Sequence, residues 1–358
     1  MDWVFLVTSL LIILVAAELF TNGVEWVGEG FGLSEGAVGS VLAAIGTALP
    51  ETLLPIVAIV SGHEAGDEIG IGAILGAPFM LTTLAMVVIG TAVLFYARGG
   101  RRSVDLDIDR RVIQQDLGYF LVMYALAMIA GLLHVRVFDV CLAIVLVVGY
   151  AYYVRRHFQA PESEAGAGAE EGAEDGAEEG EGDASDVRPL RLWVALRWAF
   201  HRLPEWSADR STAAPFIQVT LGLILMVGGA KLFVDAVGNL GKAAGLPPLA
   251  FSLLVAPLAT ELPEKFNSVL WVRRNKDTLA MGNMTGAMVF QSSFPVTVGL
   301  LLTPWELAHE ALVAAVVALL AGSVLYLTLR IRGRLSARLL LLQGVFYVGY
   351  VAYVVTKL

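Results

Sequence analysis

Apolar residues run in blocks of membrane length along this chain, interrupted by short polar stretches, and the blocks predict helices near 3–22, 35–61, 69–96, 115–133, 137–154, 214–236, 247–271, 279–302, 307–330 and 338–356. Five precede and five follow a hydrophilic stretch over 155–212, which divides the chain into 1–154, a linker, and 213–358. The pattern predicts an all-α, polytopic membrane protein of about ten crossings. An odd number of crossings per half puts the second half into the membrane with the opposite orientation, so any repeat between the halves must be inverted.

The polar stretches orient the chain. Bases collect after the third block (Arg98, Arg101, Arg102, Arg110, Arg111) and after the fifth (Arg155, Arg156). They collect again after the seventh (Arg273, Arg274, Lys276) and between the ninth and tenth (Arg330, Arg332, Arg334, Arg338). These loops fall on one face, which the positive-inside rule makes cytoplasmic, so both termini are expected outside. The opposite loops, such as His63-Glu64-Ala65-Gly66-Asp67-Glu68, are acidic or neutral. Trp3, Trp26, Tyr96, Trp193, Trp271 and Trp305 near helix ends read as interfacial belts.

Composition sharpens this picture in two places. At 57% hydrophobic residues and a mean hydropathy of +0.72, the chain is too apolar for an ordinary soluble domain. The net charge of -9 belongs to one segment: residues 161–187 hold eleven acids and no base, and without them the remainder stands at +2. That linker, rich in Ala, Gly and Glu, cannot bury a core and reads as a disordered, self-repelling cytoplasmic tether. Cys141 is the single cysteine, which excludes an intrachain disulfide. The N-terminus lacks a basic region, so residues 3–20 read as a retained helix.

One phrase occurs twice. Gly46-Thr47-Ala48-Leu49-Pro50-Glu51 returns 213 residues later as Ala259-Thr260-Glu261-Leu262-Pro263-Glu264. The same offset carries Ala17, Leu19 and Phe20 onto Ala230, Leu232 and Phe233, and Gly32-Leu33 onto Gly245-Leu246. Pro50 and Pro263 each release a backbone carbonyl four residues earlier, tolerable in a membrane only beside protein or a hydrated cavity. Thr47 and Thr260 sit one turn before Glu51 and Glu264, on the same helical face. Two carboxylates, two hydroxyls and freed carbonyls form an all-oxygen set suited to a hard cation, and their two charges balance one divalent ion. An ionisable residue at matched positions of a repeat is the signature of a secondary transporter. Gly72 and Gly76, echoed by Gly282 and Gly286, allow close helix packing in the following block. No proteolytic, esterase or nucleotide-binding motif is present, so no enzyme activity is expected. His63, His134, His157, His201 and His309 fall in loops or at helix ends and form no metal cluster. Glu18 and Lys231 occupy matched positions of the first and sixth blocks, close enough in pattern to pair or far enough in depth never to meet.

The paired "G-T-x-L-P-E" phrases, each followed by a "G-x-x-x-G" helix, resemble the α-repeats of the Ca2+/cation antiporter superfamily, nearest its prokaryotic sodium/calcium exchangers. The resemblance implies ten helices in inverted repeats, in the cell (inner) membrane, exchanging Ca2+ for Na+ without a cofactor. Its partners would be the bilayer and inorganic cations, not nucleic acid. By position it makes Glu51 and Glu264 the central Ca2+ carboxylates, with Thr47 and Thr260 adding oxygens and the carbonyls of Ala44 and Pro257 lining Na+ sites. It also implies a rigid core of helices 2, 3, 7 and 8, against which helices 1 and 6 slide.

The departures point elsewhere. Positions that are commonly Ser and Asn or Asp in that branch are Ala77, Leu81, Ala287 and Gln291 here, and a usual Ser is Glu261. Asn283 and Ser292 or Ser293 could restore some polarity. Glu261 lies one turn from Glu264, and two carboxylates that close resist joint ionisation, so a shared proton is expected. Three readings therefore stand: Ca2+/Na+ exchange from the motif, Ca2+/H+ exchange from Glu261 and the lost ligands, and exchange of other cations such as Na+ for H+.

Overall fold

The structure is a computed structural model that describes residues 2–30, 43–98, 102–158, 213–245 and 247–357. Gly32-Leu33, the start of the predicted second helix, Arg101, the linker's acids, Trp193, His201 and Leu246 lie outside the described residues. What is described is helical throughout, with a single isolated bridge between Asp105 and Ser336. In chain order the helices are α1 (Asp2–Gly30), α2 (Ala43–Val60), α3 (Gly66–Thr82), α4 (Leu84–Ala97), α5 (Arg110–Leu133), α6 (Arg136–Phe158) and α7 (Ala213–Ala244). Then follow α8 (Pro248–Thr260), α9 (Leu262–Arg273), α10 (Asp277–Gln291), α11 (Phe294–Leu302), α12 (His309–Arg332) and α13 (Ala337–Val355).

Eight continuous or near-continuous segments are long and apolar enough to cross a bilayer, and two shorter apolar helices, 48–60 and 248–258, match the predicted second and seventh blocks. The shortness of the seventh has a physical cause. Its helix is interrupted at Glu261, where α8 hands over to α9, with Pro263 in the first turn of α9. Proline suits that position because the first amides of a helix have no partner to lose. The third and eighth blocks are interrupted too, at Thr83 and at Ser292–Ser293. At both breaks hydroxyls take up carbonyls of the preceding turn: Thr83 Oγ1 donates to the Phe79 carbonyl at 2.5 Å and Ser293 Oγ to the Val289 carbonyl at 2.8 Å. The breaks sit at the same repeat position, 210 residues apart.

Packing follows the small residues. A Cβ on Gly72 or Gly76 would collide with the carbonyls of Leu249 and Leu253, so α3 lies backbone to backbone on α8, and Ser252 Oγ donates to the Ile69 carbonyl at 2.8 Å. The segment matched to this part of α8 in the first half falls within 31–42, outside the described residues. α1 and α7 pack along each other in opposite directions: Gly23 lies against Val219, Gly222 against Phe20 and Ala16, and Gly229 against Ile12 and Ile13. Gln218 ties them with bonds to the Leu19 carbonyl (2.8 Å) and Asn22 (2.9 Å). In that register Glu18 lies level with Gly222, and Lys231 is some two turns away. Val137, Ile144 and Val148 on α6, with Leu342, Val345 and Val348 on α13, are exposed, as lipid-facing residues should be.

On the basic face the segment after α4 clasps the second half. Arg102 forms a buried ion pair with Asp277 at 2.6 Å, side chains 5% and 2% exposed, and donates to the Val272 carbonyl at 2.7 Å. The amide of Asp107 reaches the same Asp277 oxygen at 2.9 Å, and that of Asp109 reaches Thr278 Oγ1 at 2.9 Å. Leu106 and Val104 pair with Leu335 and Ala337 across the α12–α13 turn. One expectation fails: Trp305 is no belt residue. It is buried, wedged against Gly299, and its indole donates to the Ala127 carbonyl at 3.0 Å.

Arg102→Ala is expected to cost about 3–5 kcal/mol, because it strands a buried carboxylate. Arg334→Ala, which removes an exposed partner of Asp105, should change little. Thermal unfolding in detergent compares the two, and equal losses would show that burial of the Arg102–Asp277 pair contributes nothing.

Candidate functional site

Polar side chains converge where the helices are interrupted. Glu51 follows Pro50 on α2, Gln291 is the last residue of α10 before its break, and Glu261 is the joint between α8 and α9. The three meet. Gln291 Nε2 lies 2.5 Å from Glu51 Oε2 and 3.0 Å from Glu261 Oε1, so one amide group donates to a carboxylate from each half of the chain. Glu51 is 8% exposed, Gln291 1% and Glu261 0%. Buried amides earn their place only when hydrogen-bonded, and charge-assisted bonds are the strong kind.

The backbone explains how the chain reaches this geometry. α2 runs unbroken through Pro50 and Pro55, whereas the matched phrase in the second half is divided at Glu261, whose own backbone stays in the right-handed helical region (φ -92°, ψ -36°). The Glu261 amide keeps a bond to the Pro257 carbonyl at 2.9 Å, and its side chain turns into the interior. The Thr260 hydroxyl donates to the Ala256 carbonyl at 3.2 Å, which leaves its lone pairs available as ligands.

Of the residues the sequence singled out, the structure brings Glu51, Glu261 and Gln291 together. Thr260 and Pro257 flank Glu261 on α8. The helical backbone includes Ala44, Thr47 and Glu264, but their side chains lie outside the described residues. Among the described residues no group of three or more His, Cys, Asp or Glu side chains is placed to hold a metal. Ala77 and Leu81 are buried apolar residues, so on α3 the positions where a neutral oxygen is common carry none. Ser292 and Ser293 spend their hydroxyls on the Val289 carbonyl, and Asn283 donates to Ser268 Oγ at 3.1 Å. Sequence reasoning missed that Glu51 and Glu261 are joined through Gln291. The sequence marks each of the three residues but carries no signal of that partnership, which depends on where the helix breaks fall in space.

Comparison with known proteins follows the same lines. The model of the family described as "Sodium/calcium exchanger protein" matches residues 1–158 and 214–358. CaxA of Alkalimonas amylolytica, named as a candidate antiporter, is 23% identical over 97% of this chain and 96% of its own. The solved structure of an H+/Ca2+ exchanger, CAX, superimposes with a TM-score of 0.67 at 13% identity, covering 99% of this chain and 86% of that one. A structure of the sodium-calcium exchanger NCX_Mj superimposes with a TM-score of 0.51 at 18% identity, covering 98% of this chain and 97% of that one.

Gln291→Leu keeps the bulk of the side chain and removes both donations. It is expected to lower the stability of the ion-free protein by roughly 1.5–3 kcal/mol for each charged bond lost, read as a fall in melting temperature in chelator. An unchanged melting temperature would mean that the amide does not support the two acids.

Proposed function

The chain belongs to the sodium/calcium exchanger protein family, a family of membrane antiporters, and from that premise we propose that it exchanges Ca2+ for protons at one site shared between its halves. The observation that carries this reading is the Gln291 amide held between Glu51 and Glu261. Of the three acids Glu51, Glu261 and Glu264, two carboxylates balance a divalent ion and the third must carry a proton for the loaded site to be neutral, with the Thr47 and Thr260 hydroxyls completing the oxygen set. Charged carboxylates in a membrane interior are costly, so the loaded site crosses with Ca2+ and the return leg needs the charge neutralised again. Protons do this without further ligands. Na+ needs several oxygens, and Ala77, Leu81 and Ala287 provide none in their side chains.

Exchange for Na+ is the second reading. Its support is the repeated motif, with the Ala44 and Pro257 carbonyls and two threonine hydroxyls as ligands; the Pro257 carbonyl, already bonded to the Glu261 amide, keeps a second lone pair. The solved relatives include an H+/Ca2+ exchanger and a sodium-calcium exchanger, so the choice between counter-ions rests on the site residues.

In this scheme the chain forms ten crossings in two inverted repeats (1–154 and 213–358) of the inner membrane, with both termini outside and the linker 155–212 cytoplasmic. The antiparallel course of α1 and α7, the first helices of the two repeats, supports the inversion. So do the matched breaks at Thr83 and Ser293. α1 and α7 would slide as a pair against the core formed by α2, α3, α8, α9 and α10.

Ca2+ uptake into proteoliposomes is expected under an outward H+ gradient. Uptake under an outward Na+ gradient alone would reject proton coupling and establish the second reading, and no Ca2+ movement in either would reject both. Glu51→Gln should reduce Ca2+ flux at least about 100-fold, the equivalent of about 2.7 kcal/mol. Glu261→Ser should flatten the pH dependence of exchange, and a pH profile superimposable on that of the native protein would remove Glu261 from the proton step.

A further inference from the structure

A second buried acid lies apart from the Glu51–Gln291–Glu261 cluster. Asp116, on the second turn of α5, is 1% exposed, yet it faces α6 and α10 rather than solvent. Tyr153 on α6 donates to Asp116 Oδ1 at 3.0 Å, and Thr285 on α10 donates to Oδ2 at 2.6 Å. His157, one turn beyond Tyr153, brings Nε2 to 4.0 Å from Oδ1. Thr285 precedes Gln291 by six residues, about 9 Å of helix rise, so the two acid sites share a helix without touching.

We propose that Asp116 and His157 form a second proton-binding pair, which fastens α6 and α5 to the helix that carries Gln291. Three features of the geometry carry this. First, an intramembrane carboxylate needs a partner, and among the described residues His157 is the basic side chain that comes within 4.0 Å of Asp116. The other groups bonded to it are the hydroxyls of Thr285 and Tyr153, and the Tyr153 ring is flanked by Tyr119, edge-on at 5.2 Å, and Tyr150, stacked at 6.1 Å.

Second, the hydrogen count closes in both protonation states. Thr285 has one hydroxyl hydrogen and two acceptors in reach, Asp116 Oδ2 at 2.6 Å and the Met281 carbonyl at 3.1 Å. With Asp116 charged, that hydrogen serves Asp116. With Asp116 protonated, the acid donates to Thr285 and the hydroxyl turns to Met281, so neither Asp116 nor Thr285 is left without a partner.

Third, the pair has a way to water. His157 is 30% exposed at the end of α6, while its ring stacks on Tyr153 at 4.8 Å and its Nδ1 is buried without a hydrogen bond among the described residues. Histidine is the side chain whose charge changes between about pH 5 and 8, so a proton arriving from the basic face of the molecule can settle on the pair. With the proton on His157, opposite charges face each other across the α5–α6 contact at 4.0 Å, and without it Asp116 faces a neutral ring. The folded protein should therefore be more stable at low pH than at high pH.

The test uses the full-length protein in detergent, free of Ca2+ and Na+, with melting temperature followed from pH 8 to pH 6; it does not depend on which ions are exchanged. The native protein is expected to gain several degrees over this range relative to His157→Gln and Asp116→Asn. Other histidines titrate alike in all three, so the difference isolates the pair. His157→Arg, which replaces the proton with a fixed charge, should hold at pH 8 the stability that the native protein reaches at pH 6. Asp116→Asn alone could fail to fold, and the half-exposed His157 variants then decide. Melting curves for His157→Gln that run parallel to the native protein at every pH would overturn the proposal.

Discussion

Everything in this molecule is arranged around the cost of holding carboxylates where water is scarce. An isolated charge in a bilayer is intolerable, and an irregular backbone there is nearly as expensive, because each freed amide or carbonyl needs a partner. The chain meets both demands at the same places. Glu261 occupies a helix joint and Gln291 the edge of another, where the interruption lets a side chain leave the regular helix surface and turn inward. Hydroxyls of Thr82, Thr83, Ser292 and Ser293 satisfy the carbonyls around two of the breaks. The Gln291 amide then answers both acids at once, at the meeting point of the two halves.

Such a site has to be both held and movable, and the packing divides along that line. α3 lies on α8 through glycines that admit no side chain, and the Arg102–Asp277 clasp fixes the turn between α9 and α10 to the first half by a buried ion pair and three further hydrogen bonds. These contacts are dry, directional and costly to break. α1 and α7, in contrast, meet the core through apolar side chains: Leu6, Ile13, Phe233 and Val237 pack with Leu54, Ala58 and Phe251. Apolar contacts between helices are nearly indifferent to small displacements, whereas ion pairs and short hydrogen bonds are not.

Much of this was legible in the sequence. Hydrophobic blocks placed most helix ends to within a few residues, though α1 and α7 run on to Gly30 and Ala244, past the expected ends at 22 and 236, and the repeated Thr-x-Leu-Pro-Glu phrase singled out acids, because period and repetition are properties of the chain itself. The partnerships were not. Nothing in the spacing of Gln291 says that its amide would lie between Glu51 and Glu261, since that depends on where two helix breaks fall in space. Thr82-Thr83 and Ser292-Ser293, hydroxyl pairs at the same repeat offset, were the overlooked sign of those breaks. Trp305 misled for the opposite reason: a tryptophan at a helix end usually marks the interface, and the space that Gly299 leaves and the bond to the Ala127 carbonyl hold it inside. Arg102 read as one more basic loop residue, because burial of an arginine is decided by the Asp277 that meets it from the other half.

The repeat itself is imperfect in a way that bears on movement. Ala48 in the first half stands where Glu261 stands in the second, and α2 is continuous while α8 and α9 are separated. Two copies of one phrase thus differ in helix continuity within a single structure. If the halves were chemically identical, exchanging their conformations would yield a state of equal energy facing the other side of the membrane. Glu261 removes that equality, because its carboxyl, buried beside the Gln291 amide, has only the methyl of Ala48 as its counterpart in the first half. Under the proposed exchange cycle the two orientations of the site would therefore differ in energy, by an amount that depends on what neutralises Glu261.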